Sequence, residues 1–464
     1  MAPTPRVSRR EFLRLAAVGS AVLVTAACTA LPAAPAASTG NEAAPPSGEG
    51  VTLRKMAWGS PLEKEAIEKG LATFMEQNPS IEVEYIHTPE RYAEVLQTML
   101  AAGNAPDVYK VGNFYPDIAV RGALMDITDL VSSDPVLGAP DYFFPFEAER
   151  SVVDGKWYAI GSTFQWRLIY YNKPALEEAG VTPPTTTPEE AWTWDQLLEA
   201  ATALTVDGEG RHPGDAGFDV QNVQQWGLFF PDTFYDNYVF SNGGKILDGE
   251  PLQYTLDAPE AIEAVQRLAD LRLVQQVAAQ GAVLQDMGMN AWQMLATGRM
   301  AMIQDGNWAL LDISQMGFEF GVGVLPMLQQ PATVTGSSWT GIYADTAYPD
   351  ESWQLLRYLN LDEYQAHLVR VGLWGVSHQT LLTPEGIKMW WDPDVHPENW
   401  LALEQDYKFN YGHVIPNTVG ALRTTQMITQ EMADVWTGAR TAEELLTDLV
   451  PRLNQALEEE RAAV

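Results

Sequence analysis

The sequence predicts an α/β protein, and three of its features support that prediction. Segments with strand character alternate with segments of helical spacing from Val51 onward. The alternation is dense, because strand, helix, strand, helix and strand follow one another within about 60 residues, as in parallel sheets covered by helices. With 464 residues, 46% of them hydrophobic, the chain can also bury a large core, usually divided between two or more domains.

Each of the first five elements has its own signal. Strands are predicted at 51–58, 81–86 and 107–111, and the second of these alternates apolar and polar residues like a half-exposed strand. Helices are predicted at 61–78 and 90–102, where apolar residues recur on one helical face. Three strands joined by two helices favour a parallel arrangement of the strands.

The later part of the chain adds helices. A long helix is predicted to start at Asp257, with Glu260 placed to complete a capping box. Residues 418–460 are mostly helical in pattern. The sequence contains no internal repeats.

The first 28 residues have the pattern of an export signal. Arg9 and Arg10 precede an apolar run at 15–27, which is shorter than the roughly 20 apolar residues that span a bilayer. Cys28, the only cysteine, follows directly. The segment 1–27 resembles a twin-arginine lipoprotein signal, in which Cys28 becomes the acylated N-terminus, and the alternative is a plain secretory signal cut near Ala27.

Residues 28–50 predict a disordered tether between the lipid and the body of the protein. The segment is mostly Ala, Pro, Ser, Thr and Gly, with two glutamates and no aromatic residue. Such a composition cannot bury enough apolar surface to offset the entropy lost on ordering. The tether would hold the body near the membrane and leave it free to reorient.

Charge argues against several classes of partner. The chain carries a formal net charge of −33. The signal contributes four Arg and one Glu, a net +3, so the remainder carries −33 − 3 = −36. This surface repels nucleic acid, whose recognition needs basic patches. It also disfavours the headgroups of anionic lipids, so the predicted contact with the membrane is the lipid anchor alone.

Several short motifs occur in a characteristic order. They are residues 102–108 (AGNAPDV), 122–127 (GALMDI), 154–160 (DGKWYAI), 170–173 (YYNK), 178–181 (EAGV), 298–302 (GRMAM) and 305–308 (DGNW). Together with the signal, they resemble a family 1 extracellular solute-binding protein of an ABC importer, the group that includes maltodextrin-binding proteins. The resemblance runs from about Trp58 to the C-terminal helices.

The resemblance implies a bilobed, type II periplasmic-binding-protein-like fold, with two α/β lobes joined by a multi-strand hinge. The chain is expected to cross between lobes near 161–162, 326–330 and 361–364. This gives lobe one as 51–161 with 331–362, and lobe two as 162–330 with 363–464. The resemblance further implies a monomer that closes over its ligand by hinge bending and is recognised by the permease subunits of an ABC transporter.

The aromatic content favours a carbohydrate ligand. The chain has 15 Trp, 17 Tyr and 15 Phe. The apolar faces of sugar rings match flat aromatic side chains, and their hydroxyls match amides and carboxylates. Aromatics that follow strand ends or stand beside Gly, Asn or Asp are the better candidates, because ligands of open α/β sheets bind beyond the strand ends. The resemblance places a sugar-contacting polar residue at Gln165 and a stacking ring at Trp308.

The predicted ligand-binding residues combine these two lines of reasoning. They are Trp58, Asn113, Tyr115, Gln165, Trp166, Asp236, Asp305, Trp308, Trp339 and Trp374. Trp292, Trp353 and Trp436 fall in helical patterns and are predicted to be core residues.

Other functions stay open as alternatives. A secreted glycosidase also uses aromatic platforms and two carboxylates, although no glycosidase signature is present. A glycerol phosphodiester would need arginine in the cleft, where Arg167 is the nearest candidate, and a polyamine would need acidic groups between aromatics. The six histidines are scattered singly, so neither a metal site nor a cofactor is predicted.

Overall fold

The computed structural model describes residues 50–464. The predicted signal, Cys28 and the tether up to residue 49 lie outside the described residues. Within the described range the strands are β1 Val51–Ala57, β2 Ile81–His87, β3 Val108–Val111, β4 Val152–Val153, β5 Lys156–Trp157, β6 Ala159–Gln165, β7 Arg167–Asn172, β8 Val206–Asp207, β9 Val223–Phe229, β10 Leu247–Asp248, β11 Gln253–Tyr254, β12 Met300–Gly306, β13 Phe320–Gly323, β14 Thr333–Val334, β15 Gly336–Ile342 and β16 Gly412–His413.

The α-helices of this range alternate with the strands. They are α1 Pro61–Gln77, α2 Tyr92–Ala101, α3 Tyr115–Val120, α4 Thr128–Ser133, α5 Pro145–Arg150, α6 Lys173–Ala179, α7 Trp194–Leu204, α8 Tyr235–Ser241, α9 Pro259–Leu273, α10 Gly281–Met287, α11 Ala291–Ala296, α12 Leu310–Ser314, α13 Pro349–Leu359, α14 Asp362–Arg370, α15 Pro384–Trp390, α16 Trp400–Ala402, α17 Lys408–Asn410, α18 Ala421–Trp436 and α19 Ala442–Ala462. Short 3₁₀ turns and a π-helix at Leu403–Tyr407 complete the connections.

The first sheet has the strand order β2-β1-β3-β15-β6. β1 pairs in parallel with β2 and β3, as the alternation of elements predicted. β15, which arrives from far along the chain, pairs antiparallel with β3 and β6 and makes the sheet mixed. At the start of α1, Ser60 caps the helix by accepting a hydrogen bond from the backbone N–H of Glu63, with Pro61 in the first turn. Together with α13 and α14, this sheet forms the first lobe.

The second sheet has the order β13-β7-β12-β9-β8. β12 pairs in parallel with β9 and antiparallel with β7. Its core continues into helices α7 to α9 and into the C-terminal pair α18 and α19, which supply Trp436 and Leu449. These elements form the second lobe. At its other end α18 reaches the first lobe, where Leu422 packs against the cluster around Tyr115.

The first change of sheet differs from the expected position, whereas the second includes it. β6 continues to Gln165 in the first sheet and β7 begins at Arg167 in the second, so the first change comes at Trp166 rather than near 161–162. A second lies between β13 and β15, around 324–335. Further along the chain, Gly375 donates a backbone hydrogen bond to the Phe164 carbonyl of β6 at 2.8 Å. α14 packs on α1, so the chain leaves the first lobe after 361–364.

The capping box expected at Asp257 and Glu260 does not form. α9 begins at Pro259, and its N-cap is Ala258, whose side chain cannot accept a hydrogen bond. The helix starts two residues later than predicted, because proline fits well at the first position of a helix. Across residues 50–464, none of the helices combines the length and the hydrophobicity that crossing a membrane requires.

Candidate functional site

A cavity of about 430 Å³ lies between the facing ends of the two sheets. The first lobe contributes Gly112 and Asn113 after β3, Gln165 at the end of β6, and the start of β15. The second lobe contributes Arg167 at the start of β7 and the segments that follow β9 and β12. Ligands of open α/β sheets bind beyond strand ends, so this cavity is the candidate site.

One face of α18 covers the cavity, with the residues Ala421, Thr425, Ile428, Thr429, Met432 and Trp436. Their spacing of three or four places them on the same side of the helix. The Asn113 Nδ2 donates to the Thr425 Oγ1 at 3.2 Å, which joins the first lobe to α18. Beside this contact, the Asp117 carboxylate accepts the backbone N–H groups of Gly420 at 2.6 Å and Leu422 at 2.9 Å. A first-lobe side chain therefore caps a second-lobe helix.

Trp308 lines the cavity as a half-buried ring. It follows the end of β12 and packs against clusters of both lobes. A Cβ added to Gly306 would lie 2.1 Å from the Trp308 Cζ3, so the indole rests on a backbone that only glycine leaves uncovered. The position predicted for a stacking ring is thus on the cavity wall.

Trp339 lines the opposite side but leaves only 1% of its surface exposed. Its indole stacks on Tyr115, and its Nε1 donates to the Ser151 Oγ at 3.2 Å. The Arg150 guanidinium lies 4.6 Å from the centre of the same indole. Trp339 is therefore a fixed part of the wall, with its ring packed between protein groups.

Arg150 belongs to a polar cluster beneath the cavity. Its Nη1 donates to the Glu147 Oε1 at 3.1 Å, while its Nε has no hydrogen-bond partner among the described residues. Gly336 makes room for the guanidinium, because a Cβ there would lie 2.0 Å from the Arg150 Nη1. The backbone carbonyl of Arg150 accepts a hydrogen bond from the Asn417 Nδ2 at 2.7 Å. Asn417 lines the cavity from the segment before α18.

Arg167 and Asp236 form an ion pair in the second-lobe wall. The guanidinium carbon lies 4.3 Å from the centre of the Phe234 ring. Burial raises the pKa of Asp236 above its ordinary value, and the Arg167 charge opposes that shift. Nearby, Asp232 accepts a hydrogen bond from Arg272 at 2.5 Å, and burial lowers the pKa of Arg272.

The structure thus brings five of the ten predicted residues to one cavity. Asn113, Gln165, Asp236, Trp308 and Trp339 all contribute to its wall. They come from both lobes, as a ligand held between lobes would require.

The other five predicted residues lie outside the cavity wall. Tyr115 is fully buried beneath Trp339. Trp166 is also fully buried, and its Nε1 donates to the Glu404 Oε1 at 3.1 Å. Asp305 lines a separate depression, where it accepts a hydrogen bond from the Trp292 Nε1 at 2.6 Å.

Trp58 and Trp374 share a different partner. The Nζ of buried Lys110 lies 4.2 Å from the Trp58 ring centre and 4.5 Å from that of Trp374. The Glu63 carboxylate lies 3.7 Å from the same ammonium. The two indoles therefore flank a buried cation inside the first lobe.

The sequence reasoning missed several residues of the wall. They include Arg150, Asp232, Tyr235, Tyr254, Asn417 and the face of α18 that covers the cavity. Trp436, predicted as a core residue, lines the cavity as well as packing in the core. The sequence predicts α18 as a helix, but it does not indicate that the N-terminal end of this helix contacts the first lobe. A polar stripe at Thr425 and Thr429 on an otherwise apolar face was the available signal.

Comparison with known proteins shows what this architecture is similar to. The family described as "Bacterial extracellular solute-binding protein" matches residues 58–366, which is more than half of the chain. The sn-glycerol-3-phosphate-binding periplasmic protein UgpB of Rhizobium meliloti is 23% identical over 270 residues, covering 55% of this chain and 57% of that protein. The maltotriose-binding protein of Pyrococcus abyssi is 22% identical over 319 residues, covering 64% of this chain and 60% of that protein.

Solved structures share the fold. The substrate-binding protein Lmo0181 of Listeria monocytogenes, in complex with cycloalternan, has a TM-score of 0.77 at 21% identity, covering 88% of this chain and 100% of that one. Maltose-bound MalE3 of T. maritima has a TM-score of 0.71 at 22% identity, covering 87% and 99%. The prediction of a bilobed α/β fold of this type is confirmed. The chain belongs to the family of bacterial extracellular solute-binding proteins.

Proposed function

We propose that this protein captures a neutral carbohydrate in the cavity between its lobes and delivers it to the membrane permease of an ABC importer. The observation that carries the proposal is the charge balance of the wall. Its charged residues within the described range are two cations, Arg150 and Arg167, and two anions, Asp232 and Asp236, a formal sum of +2 − 2 = 0. Each of them is held in an ion pair.

Paired charges of this kind suit hydroxyl groups. A hydroxyl can donate to a carboxylate and accept from a guanidinium at once, so a sugar can join the Arg167–Asp236 pair without separating it. A charged ligand would have to compete with the existing partner of each group. Trp308 and Tyr235 add aromatic surface for the apolar faces of a sugar ring.

The proposed mechanism is binding and release, without bond chemistry. Both carboxylates of the wall already have an arginine partner, Asp236 with Arg167 and Asp232 with Arg272. The relatives from Rhizobium meliloti and Pyrococcus abyssi are binding proteins, for sn-glycerol-3-phosphate and for maltotriose. Ligand that contacts both lobes favours the closed arrangement by its differential affinity, and the permease would recognise that arrangement.

A panel of ligands tests the proposal. Thermal-shift and calorimetric screening should cover neutral mono- and oligosaccharides, glycerol phosphates and polyamines. A neutral sugar is expected to raise the melting temperature, because a ligand stabilises the state that binds it. Stabilisation by a polyamine alone would contradict the proposal. Release of a reducing end from any bound oligosaccharide would contradict the absence of bond chemistry.

A glycerol phosphate or phosphodiester is the second candidate. The named Rhizobium relative binds sn-glycerol-3-phosphate. Arg150 and Arg167 supply the guanidinium groups that a phosphate prefers. Binding of this kind should weaken as salt rises, whereas binding of a neutral sugar should not.

Anchoring of the exported protein through Cys28 is part of the same proposal. An acylated Cys28 would retain the protein in the membrane fraction, and Cys28→Ser should release it. Mass spectrometry of the mature N-terminus separates acylation at Cys28 from a plain cut near Ala27.

A further inference from the structure

The π-helix Leu403–Tyr407 packs against the residue at which the chain first changes sheets. That residue, Trp166, is fully buried, and its indole Nε1 donates to the Glu404 Oε1 at 3.1 Å. The ring of Tyr407 lies 6.0 Å from the same indole, edge to face. π-Helices are rare, and they occur frequently at functional sites. This one supplies the hydrogen-bond acceptor and an aromatic neighbour of the residue that joins the two sheets.

The same helix also holds the second change of sheet. The Tyr407 hydroxyl accepts a hydrogen bond from the backbone N–H of Leu325 at 3.3 Å and donates to the Ala332 carbonyl at 3.4 Å. Thr333 links this segment to the first change of sheet, because its Oγ1 accepts from the backbone N–H of Arg167 at 2.9 Å and donates to the Arg167 carbonyl at 3.1 Å. The two connections between the lobes are thus joined to each other and to one helix.

Glu404 carries a charge that is completely buried. Its side chain and that of Lys408 are both 0% exposed, and the Lys408 Nζ donates to the Glu404 Oε2 at 2.6 Å. The backbone of Val376 completes the arrangement, since its N–H donates to the Glu404 Oε2 at 3.2 Å and its carbonyl accepts from the Lys408 Nζ at 2.8 Å. Apolar side chains of similar size are often as stabilising as a buried ion pair, so this pair favours a role in fixing one arrangement.

Trp166 is joined in turn to the segment that carries Trp308. The backbone N–H of Asn307 donates to the Trp166 carbonyl at 3.0 Å, and the Asn307 Oδ1 accepts from the Trp166 N–H at 3.2 Å. The packing is tight, because a Cβ added to Gly375 would lie 2.8 Å from both the Glu404 Oε1 and the Asn307 Nδ2. Asn307 is fully buried, and the next residue, Trp308, lines the cavity. A shift of Trp166 would therefore move Trp308.

We infer that Glu404 is a positioning residue for ligand capture, which holds Trp308 in place through Trp166 while lying outside the cavity wall. The inference rests on the proposed function, in which Trp308 offers aromatic surface to the ligand. The acceptor oxygen at position 404 is the essential feature, and the ion pair with Lys408 fixes that oxygen where the indole N–H needs it.

Two double variants test the inference, because both remove the ion pair and only one keeps the acceptor. Glu404→Gln with Lys408→Met retains an amide carbonyl for the Trp166 indole, whereas Glu404→Leu with Lys408→Met does not. In calorimetry with maltotriose as the probe, the glutamine variant should bind like the wild-type protein. The leucine variant should bind about tenfold more weakly, a loss within the range of coupling between distinct sites.

A matched control removes a buried ion pair elsewhere. Glu63→Gln with Lys110→Met acts on the pair inside the first lobe, where both residues are buried. This variant should lose stability and keep its affinity for maltotriose. Equal loss of affinity in the control and the leucine variant would show that position 404 acts through general stability alone, and would overturn the inference.

Hydrogen exchange measures the positioning without any ligand. Peptides that contain Trp166 and Asn307 should exchange faster in the leucine variant than in the glutamine variant, while α1 serves as the reference for global stability. Trp166→Phe removes the same hydrogen bond from the donor side and should show the same faster exchange, so the test does not depend on the leucine variant folding. Unchanged exchange in both variants would overturn the inference.

A double-mutant cycle gives a readout that a merely structural role would not move. The loss of maltotriose affinity caused by the leucine variant should shrink when Trp308 is already replaced by Ala, because the proposed effect acts through that ring. Strictly additive losses would contradict this route. If maltotriose does not bind the wild-type protein, that result counts against the carbohydrate function alone, and the hydrogen-exchange comparison still decides whether Glu404 positions the Trp308 segment.

Discussion

The indole of Trp339 stacks on the phenol ring of Tyr115, with 5.1 Å between ring centres and 21° between ring planes. One ring lines the cavity and the other lies behind it. The Tyr115 hydroxyl donates to the Ser151 carbonyl at 2.6 Å, and the Ser151 Oγ accepts from the Trp339 Nε1. The wall of the site is thus fixed by a closed set of contacts among three residues.

This arrangement predicts different results at its two aromatic positions. Tyr115→Phe should lower the free energy of unfolding by about 1–3 kcal/mol, because the Ser151 carbonyl loses its donor, and should leave ligand affinity unchanged. Trp339→Ala should cost about 3–5 kcal/mol and also weaken binding, because it opens a hole in the cavity wall. Urea denaturation and calorimetry of both variants check this. A loss of affinity in Tyr115→Phe would mean that the Tyr115 hydroxyl itself contacts the ligand.

Gly306 predicts the effect of a single methyl group. Gly306→Ala would place a Cβ 2.1 Å from the Trp308 ring, so the indole must leave its position on the cavity wall. We expect the affinity for the ligand to fall about as far as in Trp308→Ala. The control is Gly50→Ala, whose Cβ would make an ordinary contact of 3.5 Å with the Ser80 carbonyl. If Gly306→Ala binds normally, Trp308 is not a ligand-contacting residue in this orientation.

The residues around Gly306 show how much of the site could be predicted from the sequence. Trp308, just beyond Gly306, was predicted as a stacking ring from the family resemblance, and the structure puts it on the cavity wall. Trp166 had a similar local signal but is fully buried, because Trp400 and Glu404, distant in the chain, pack against it. Local pattern predicts where a strand ends, and distant packing decides whether a ring there is exposed.

The fold, like the site, could be predicted only where the signal lies in the local sequence. The first three strands and two helices lie within a residue or two of their predicted bounds, because their apolar periodicity is local. The antiparallel insertion of β15 depends on pairing between Trp339 and Val111, which no local pattern indicates. The first change of sheet was placed early for the same reason.

The Arg167–Asp236 pair predicts a non-additive pair of substitutions. Arg167→Met should destabilise the protein by about 3–5 kcal/mol, since it leaves a buried carboxylate without its cation. Adding Asp236→Asn should recover part of that loss, because the remaining partner is then neutral. A double-mutant cycle in urea measures the coupling. Strictly additive losses would show that the two side chains do not depend on each other.

Asp305 predicts a pH dependence of stability. Burial raises its pKa from 3.8 to about 6, so the folded state binds the proton more tightly than the unfolded state. Its contribution to stability is therefore present below about pH 4 and is lost as pH rises through about 6, by at most about 3 kcal/mol. Asp305→Asn removes this dependence. The unfolding free energy of wild type minus that of Asp305→Asn should fall between pH 4 and pH 7, and a difference that rises would contradict the assignment.

Asp117 is predicted to stabilise the arrangement in which the two lobes are in contact. Its carboxylate, in the first lobe, accepts two backbone N–H groups at the start of α18, whose apolar side belongs to the second-lobe core. Asp117→Asn removes the negative charge that favours a helix N-terminus and replaces one acceptor oxygen with a donor. The arrangement with the lobes in contact should become less populated.

Because ligand that bridges the lobes requires that arrangement, apparent affinity should fall several-fold in Asp117→Asn, in proportion to the lost population. The neighbouring contact between Arg121 and Glu460, at 2.6 Å, provides the control, since half of the Arg121 side chain is exposed and exposed ion pairs contribute little. Arg121→Ala should therefore bind almost normally. Small-angle scattering should show Asp117→Asn more extended than Arg121→Ala at the same subsaturating ligand concentration. Equal behaviour of the two variants would mean that the cap on α18 stabilises the helix and has no part in closing the lobes.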